Sequence, residues 1–241
     1  MTTEDRVYRR AREHIVDFAF DETVAAVFPD MIRRSVPGYE TVVPITGLLA
    51  ARELRRAGPG SRAYDLGCSL GATALATLRQ LGDAPCTLTA VDSAPAMIER
   101  ARTLVVDARV EFLCADIRAL EIAPCRVVTL NYVLQFLPPE DRPAMLRRIR
   151  AALAPDGLLI VSEKIRFDDP AVQRDYEAAH MDYKRANGYS ELEISQKRTA
   201  LENVMVIDTE EQHRERLREA GFRRVRKWYQ CLNWAAFEAR P

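Results

Sequence analysis

The chain has 241 residues, 48% hydrophobic and 29% charged, with 35 basic and 35 acidic side chains and a formal net charge of zero. That size and composition fit one α/β domain with some elaboration and a large core. Zero net charge supplies no global field toward nucleic acid or anionic membrane, and no apolar run approaches the roughly 20 residues that cross a bilayer.

The N-terminus is charged (Asp5, Arg6, Arg9, Arg10, Arg12) and lacks the apolar segment of a secretory signal. Residues 21–57 read as helices broken at Pro29 and at Pro37-Gly38, forming a lid over the carboxyl edge of a sheet. From there strand and helix patterns alternate. Strands are predicted at 61–66, 86–91, 110–114, 126–130 and 158–163, with helices at 72–81, 95–106 and 141–153 between them. Pro95 suits the first turn of its helix, and Pro155-Asp156-Gly157 turns the chain into the fifth strand. Residues 170–203 form a helical insertion rich in polar and aromatic groups, and a helix at 210–220 ends at Gly221. Two closing strands, 223–230 and 232–238, make a terminal hairpin. The βαβ alternation implies a parallel sheet covered on both faces. With the hairpin it gives a seven-stranded, mostly parallel, Rossmann-like sheet of the class I methyltransferase type. Residues 1–57 form the lid segment and 58–241 the sheet domain, insertion included.

The five cysteines (Cys68, Cys86, Cys114, Cys125, Cys231) are scattered and odd in number. That argues against a disulfide framework or a zinc site, implies a reducing cytoplasm, and leaves no metal in the expected chemistry.

The site is expected at the carboxyl ends of the strands. Strand one runs into Tyr64-Asp65-Leu66-Gly67-Cys68-Ser69-Leu70-Gly71, a D-x-G-x-x-x-G turn in place of the G-x-G-x-x-G dinucleotide fingerprint. Glycines in such a turn let backbone approach a nucleoside closely, and this spacing is the one S-adenosylmethionine (SAM) enzymes use. Strand two ends at Asp92, 25 residues after Gly67, placed to accept from both ribose hydroxyls. Strand three ends at Asp116-Ile117, suited to an adenine amine and ring face, and strand four at Asn131, suited to the sulfonium or amino-acid part. Any one of these alone fits a helix N-cap. Four in succession behind the right glycines fit a SAM site better.

The acceptor is less legible. Cys68 has no cationic partner to activate it and reads as space-filling, while His180 is either a base or a structural histidine. Lys184, Arg185, Lys197 and Arg198, with Tyr183 and Tyr189, are either a solvated face or a site for an anionic group.

Several runs go further: 24–32 (VAAVFPDMI), 34–39 (RSVPGY), 64–69 (YDLGCS), 93–100 (SAPAMIER), 184–198 (KRANGYSELEISQKR), 201–205 (LENVM) and 228–231 (WYQC). Together they closely resemble carboxy-S-adenosyl-L-methionine synthases, from about Phe20 to the last strand. The resemblance implies a homodimer that turns SAM and prephenate into carboxy-SAM, phenylpyruvate and water. A partner tRNA carboxymethyltransferase would then carry the carboxymethyl group to a wobble uridine. It implies Tyr39, Gly67, Cys68, Ser69, Asp92, Ser93, Asp116, Ile117 and Asn131 around the ligand, and Arg198, from the neighbouring subunit, clamping the new carboxylate. Ser93 stands where asparagine is familiar in that family; both are small and polar. The first twenty residues match poorly and carry no functional signal. In the implied chemistry, hydroxide lost from prephenate takes a proton from the SAM methyl group, and the resulting ylide attacks carbon dioxide in a dry pocket. The other readings are an ordinary methyltransferase for a small acid and a SAM-binding protein without catalysis. Direct tRNA binding is disfavoured by the balanced charge.

Overall fold

Buried parallel strands need apolar side chains on both faces, and the central strands have them. β1 (Arg62–Leu66) is buried at four of its five positions, and β4 (Cys125–Asn131) at five of seven. The computed structural model describes residues 3–241. In chain order it contains α1 (Glu22–Ser35), α2 (Tyr39–Ala57), β1, α3 (Ala72–Leu81), β2 (Thr87–Asp92), α4 (Pro95–Leu104), β3 (Val110–Cys114) and β4. After a short 3₁₀ turn at Leu134–Phe136 come α5 (Arg142–Ala152), β5 (Leu153–Arg166), α6 (Pro170–Ala186) and α7 (Glu191–Glu202). The chain closes with β6 (Asp208–Thr209), α8 (Glu210–Glu219), β7 (Arg224–Cys231) and β8 (Trp234–Arg240).

The sheet order is β3-β2-β1-β4-β5-β8-β7, parallel from β3 to β5 and antiparallel through the hairpin. These are the seven expected strands. The eighth, two-residue β6 pairs only with the end of β5 and has no periodicity of its own to announce it. The Pro155-Asp156-Gly157 turn lies within β5, as an irregularity where pairing shifts from Cys125↔Leu153 to Val127↔Leu158.

Two expectations for the N-terminal helices change. Pro29 lies inside α1 without breaking it: the Asp21 side chain accepts from Val24 N at 2.8 Å as an N-cap, and Phe28 and Met31 are buried on either side of the proline. Anchoring at both places outweighs the one backbone bond that proline removes. The break at Pro37-Gly38 is present, with Gly38 left-handed at φ +81°. Second, α2 covers the sheet face more than its edge. Ala50, Ala51 and Leu54 pack with Ala63, Leu78 and Val127. A Cβ on Gly47 would sit 2.6 Å from the Ala76 backbone, so small residues set how closely α2 approaches α3. Only α1 and the first turns of α2 reach the edge where a ligand would sit.

Candidate active site

A cavity of about 690 Å³ opens at the carboxyl ends of β1 to β4, within the range of small-molecule sites. One end is the glycine turn. Gly67 (φ +74°), Ser69 (φ +47°) and Gly71 (φ +78°) hold left-handed backbone. A Cβ at Gly67 would lie 2.4 Å from Val133 Cγ2, so glycine is required there by the chain itself as well as by any ligand. Asp92 fixes the turn: Oδ2 accepts from Ser69 N at 2.8 Å and Oδ1 from Ala94 N at 3.0 Å. Each carboxylate oxygen keeps a further acceptor position for ribose hydroxyls. Burial raises the Asp92 carboxyl, and the backbone N–H bonds oppose that.

Beside it, Asp116 is held by Arg118, whose side chain reaches it at 2.7 Å and lowers its carboxyl. The Asn131 amide is locked on both sides, Nδ2 donating to Thr73 Oγ1 at 3.1 Å and Oδ1 accepting from Ser162 Oγ at 2.8 Å. Cys68 is buried, and burial with the nearby Asp65 and Asp92 pushes its thiol up, which supports the space-filling reading. Asp65 is buried too, raised to about 6 chiefly by that burial, with Thr129 Oγ1 donating to Oδ1 at 2.7 Å.

The loop after β4 forms the next wall. Glu163, fully buried on β5, accepts from the backbone N–H groups of Val133, Leu134 and Gln135 at 3.0, 2.8 and 3.1 Å. It caps the 3₁₀ turn and sets the position of Tyr132, which has φ +64°. From there an aromatic row crosses the cavity: Tyr39 to Tyr132 at 6.0 Å, Tyr132 to Trp234 at 5.5 Å, Trp234 to His180 at 5.8 Å.

The far end is cationic. Lys164, Lys184, Lys197 and Arg198 line it, with Glu177 and Glu202 as its carboxylates. His180 is 3% exposed and donates from Nε2 to Ser35 O at 2.8 Å. Burial, reinforced by Lys184 and Lys164, drops it to about 3, so it is neutral and already engaged. Lys197 donates to Ser35 Oγ at 2.8 Å and lies 3.8 Å from Asp5. Arg185 leaves the set: it is exposed, paired with Asp182 and Glu191 on the outer face of the insertion.

The N-terminal segment closes this end. Asp5 Oδ2 accepts from Tyr189 OH at 2.5 Å, and Gln196 Nε2 donates to Tyr8 O and Arg10 O, both at 2.9 Å. Phe18 N donates to Ala200 O at 2.8 Å, and the Phe18 and Phe20 rings line the cavity. Strapped in this way, α7 places Arg198, exposed, at the edge of the cavity. Among the described residues no cluster of His, Cys, Asp or Glu is arranged to hold a metal ion, and no helix is long and apolar enough to cross a membrane.

Residues 63–157 match a methyltransferase domain family. Solved structures share the fold at low identity. An O-methyltransferase family protein from Burkholderia thailandensis matches with TM-score 0.64 at 19% identity, over 95% of this chain and 65% of that one. Human N-acetylserotonin methyltransferase matches with TM-score 0.60 at 17% identity, over 91% and 55%. Curated relatives are much nearer. The carboxy-S-adenosyl-L-methionine synthase of Geobacter sp. (strain M21) is 51% identical over 98% of this chain and 97% of its own length. That of Shewanella oneidensis is 49% identical over 98% of both. The chain belongs to the carboxy-S-adenosyl-L-methionine synthase family.

For this synthase family member, the cavity gathers all ten residues named from the sequence: Tyr39, Gly67, Cys68, Ser69, Asp92, Ser93, Asp116, Ile117, Asn131 and Arg198. Sequence reasoning missed Lys164, Gln135, Tyr132, Trp234, Phe18 and Phe20, which share the same walls. Tyr132 directly follows the strand-four Asn131 and could have been found there. Nothing local marks the two phenylalanines.

Proposed function

We propose that the chain converts SAM and prephenate to carboxy-SAM, phenylpyruvate and water, as the carboxymethyl donor for 5-oxyacetyl uridine at tRNA wobble positions. The observation that carries this reading is a single cavity with a nucleoside cradle at one end and a cluster of cations at the other. A neutral methyl acceptor would need no such cluster; an anionic co-substrate and a product with a new carboxylate do. Gly67, Cys68, Ser69, Asp92, Ser93, Asp116 and Ile117 would hold the nucleoside, Tyr39 and Asn131 its sulfonium side, and Arg198 the new carboxylate. Aromatisation of prephenate releases carbon dioxide and hydroxide. The carbon dioxide ends on the former methyl carbon, and the hydroxide takes the proton that carbon gives up, so atoms and charge balance. That assignment agrees with His180 being neutral and committed to Ser35. The protein acts as a homodimer in the cytoplasm and passes its product to a tRNA carboxymethyltransferase, without binding nucleic acid itself.

The test is to denature the purified protein and weigh the released nucleoside, then to supply SAM and prephenate and follow phenylpyruvate. A nucleoside heavier than SAM by one carbon dioxide, with matching phenylpyruvate formation, is expected. Plain SAM with methylation of an added small acid would replace this reading with that of an ordinary methyltransferase.

A further inference from the structure

Two lysines in the cavity wall have ammonium groups with no hydrogen bond or ion pair among the described residues. Lys184 is 7% exposed, yet its ammonium takes part in no hydrogen bond or ion pair among the described residues. Burial and three neighbouring cations, Lys197, Lys164 and Arg198, pull it down to about 7, and no carboxylate offsets them. Lys164, half-buried at the end of β5, is likewise without a hydrogen bond through its ammonium, with Glu177 as the carboxylate acting on it. A buried cation left unpaired is costly to the fold, and such costs concentrate where a ligand supplies the missing charge. Lys184 does lie in the last turn of α6, where the helix end favours a cation. That explains one positive charge, but not three more around it facing the same cavity.

We propose that Lys184 and Lys164 bind the carboxylate that stays on the second substrate through the reaction and leaves as the carboxylate of the 2-oxo acid product. This rests on the function proposed above, in which a substrate with two carboxylates gives up one, and Arg198 holds the transferred one. The other cationic groups are committed elsewhere. Lys197 is bound to Ser35 and faces Asp5 across the strap, and Arg185 lies outside. The groups facing Lys184 are Lys164 from β5, His180 from its own helix, Lys197 and Arg198 from α7, and Ser35 of α1 and Trp234 of β8, which hold His180; Glu177 of the same helix acts on Lys164. His180 is neutral, so an arriving carboxylate is the one group that both offsets this repulsion and favours the charged lysine. Binding therefore takes up a proton at pH 8.

The test uses the whole protein, with phenylpyruvate as the calorimetric probe and prephenate as substrate, in wild type, Lys184→Met, Lys184→Gln and Lys164→Met. The KM for prephenate and the Kd for phenylpyruvate should rise about tenfold or more in each variant, while SAM affinity stays unchanged and the melting temperature does not fall. At pH 8 the enthalpy of phenylpyruvate binding should depend on the buffer in wild type and lose that dependence in Lys184→Met, which a purely structural lysine would not cause. Unchanged KM and Kd in variants that retain SAM overturn the assignment while the reaction stands. Should Lys184→Met not fold, Lys184→Gln and Lys164→Met decide by the same readings. Wild type that binds SAM but does not consume prephenate overturns both.

Discussion

Replacing Arg198 by leucine separates ligand recognition from folding. Arg198 makes no hydrogen bond or ion pair within the described residues and is exposed at the cavity edge. Its loss should therefore cost the fold no more than about 0.5 kcal/mol, or about 2 °C in melting temperature for a chain of this size. What it offers a carboxylated ligand is a charge-assisted, bidentate bond worth about 1.5–3 kcal/mol. Exposure in the free chain screens the guanidinium, so the lower part of that range applies. At 1.4 kcal/mol per tenfold this is roughly a 10- to 30-fold loss of affinity for carboxy-SAM. Plain SAM, which lacks the new carboxylate, should bind as before. The assay is calorimetric titration of ligand-free protein with each nucleoside, supported by mass spectrometry of ligand retained through purification. Full occupancy by the carboxylated form in Arg198→Leu would refute the assignment, and so would equal weakening for both nucleosides.

Gly67→Ala places a Cβ 2.4 Å from Val133 Cγ2 on backbone at φ +74°, a conformation costing a non-glycine residue about 1–2 kcal/mol. It should lower both melting temperature and SAM affinity, and adding Val133→Ala should recover part of the loss; no recovery would refute the steric account. Glu53 is 2% exposed and accepts from Arg126 at 3.1 Å and Arg240 at 2.9 Å, at the edge of the sheet away from the cavity. Glu53→Gln leaves Arg240 without its carboxylate and Arg126 with only the exposed Asp156, so a loss of about 3 kcal/mol, seen as a melting point about 6–12 °C lower with SAM affinity intact, is expected; a shift under about 2 °C would rule that out. His180 and His213 are buried and depressed to about 3 and about 4, mainly by burial. Their unfolded forms protonate near 6.5, so stability is complete above that pH and falls as pH drops toward 3, by up to about 1.4 kcal/mol per pH unit for each histidine. Urea unfolding at pH 7 and pH 5 measures this, and His180→Asn should flatten the slope; an unchanged slope would remove His180 as a cause.

The strands and their terminal polar residues were legible because their signals are local: apolar runs, then Asp92, Asp116 and Asn131 where each run stops. The cationic end was only half legible. Lys184 and Arg185 are neighbours in sequence, yet one helical step turns Lys184 into the cavity and Arg185 out to Asp182 and Glu191. A charge run names the residue types but not the face, which is fixed only once α6 packs on α1 through His180 and Ser35. The N-terminal twenty residues were silent for a different reason. Residues 3–20 form no regular element, so they carry no periodicity, and polar contacts from Asp5, Tyr8 and Arg10 hold them to α7 and its flanking loop. Those contacts join positions more than 180 apart in the chain. Pro29 failed as a breaker because a proline removes one backbone bond, while the burial of Phe28 and Met31 on the same helix is worth about 1.5–3 kcal/mol for each side chain. The same comparison explains Gly67. Its freedom was read as room for a nucleoside, and the nearest atom proves to be a valine of the chain's own loop, held in place by Glu163. Glycine at that position thus serves first to seat the loop that walls the cavity, and any ligand meets a cradle whose shape is already set.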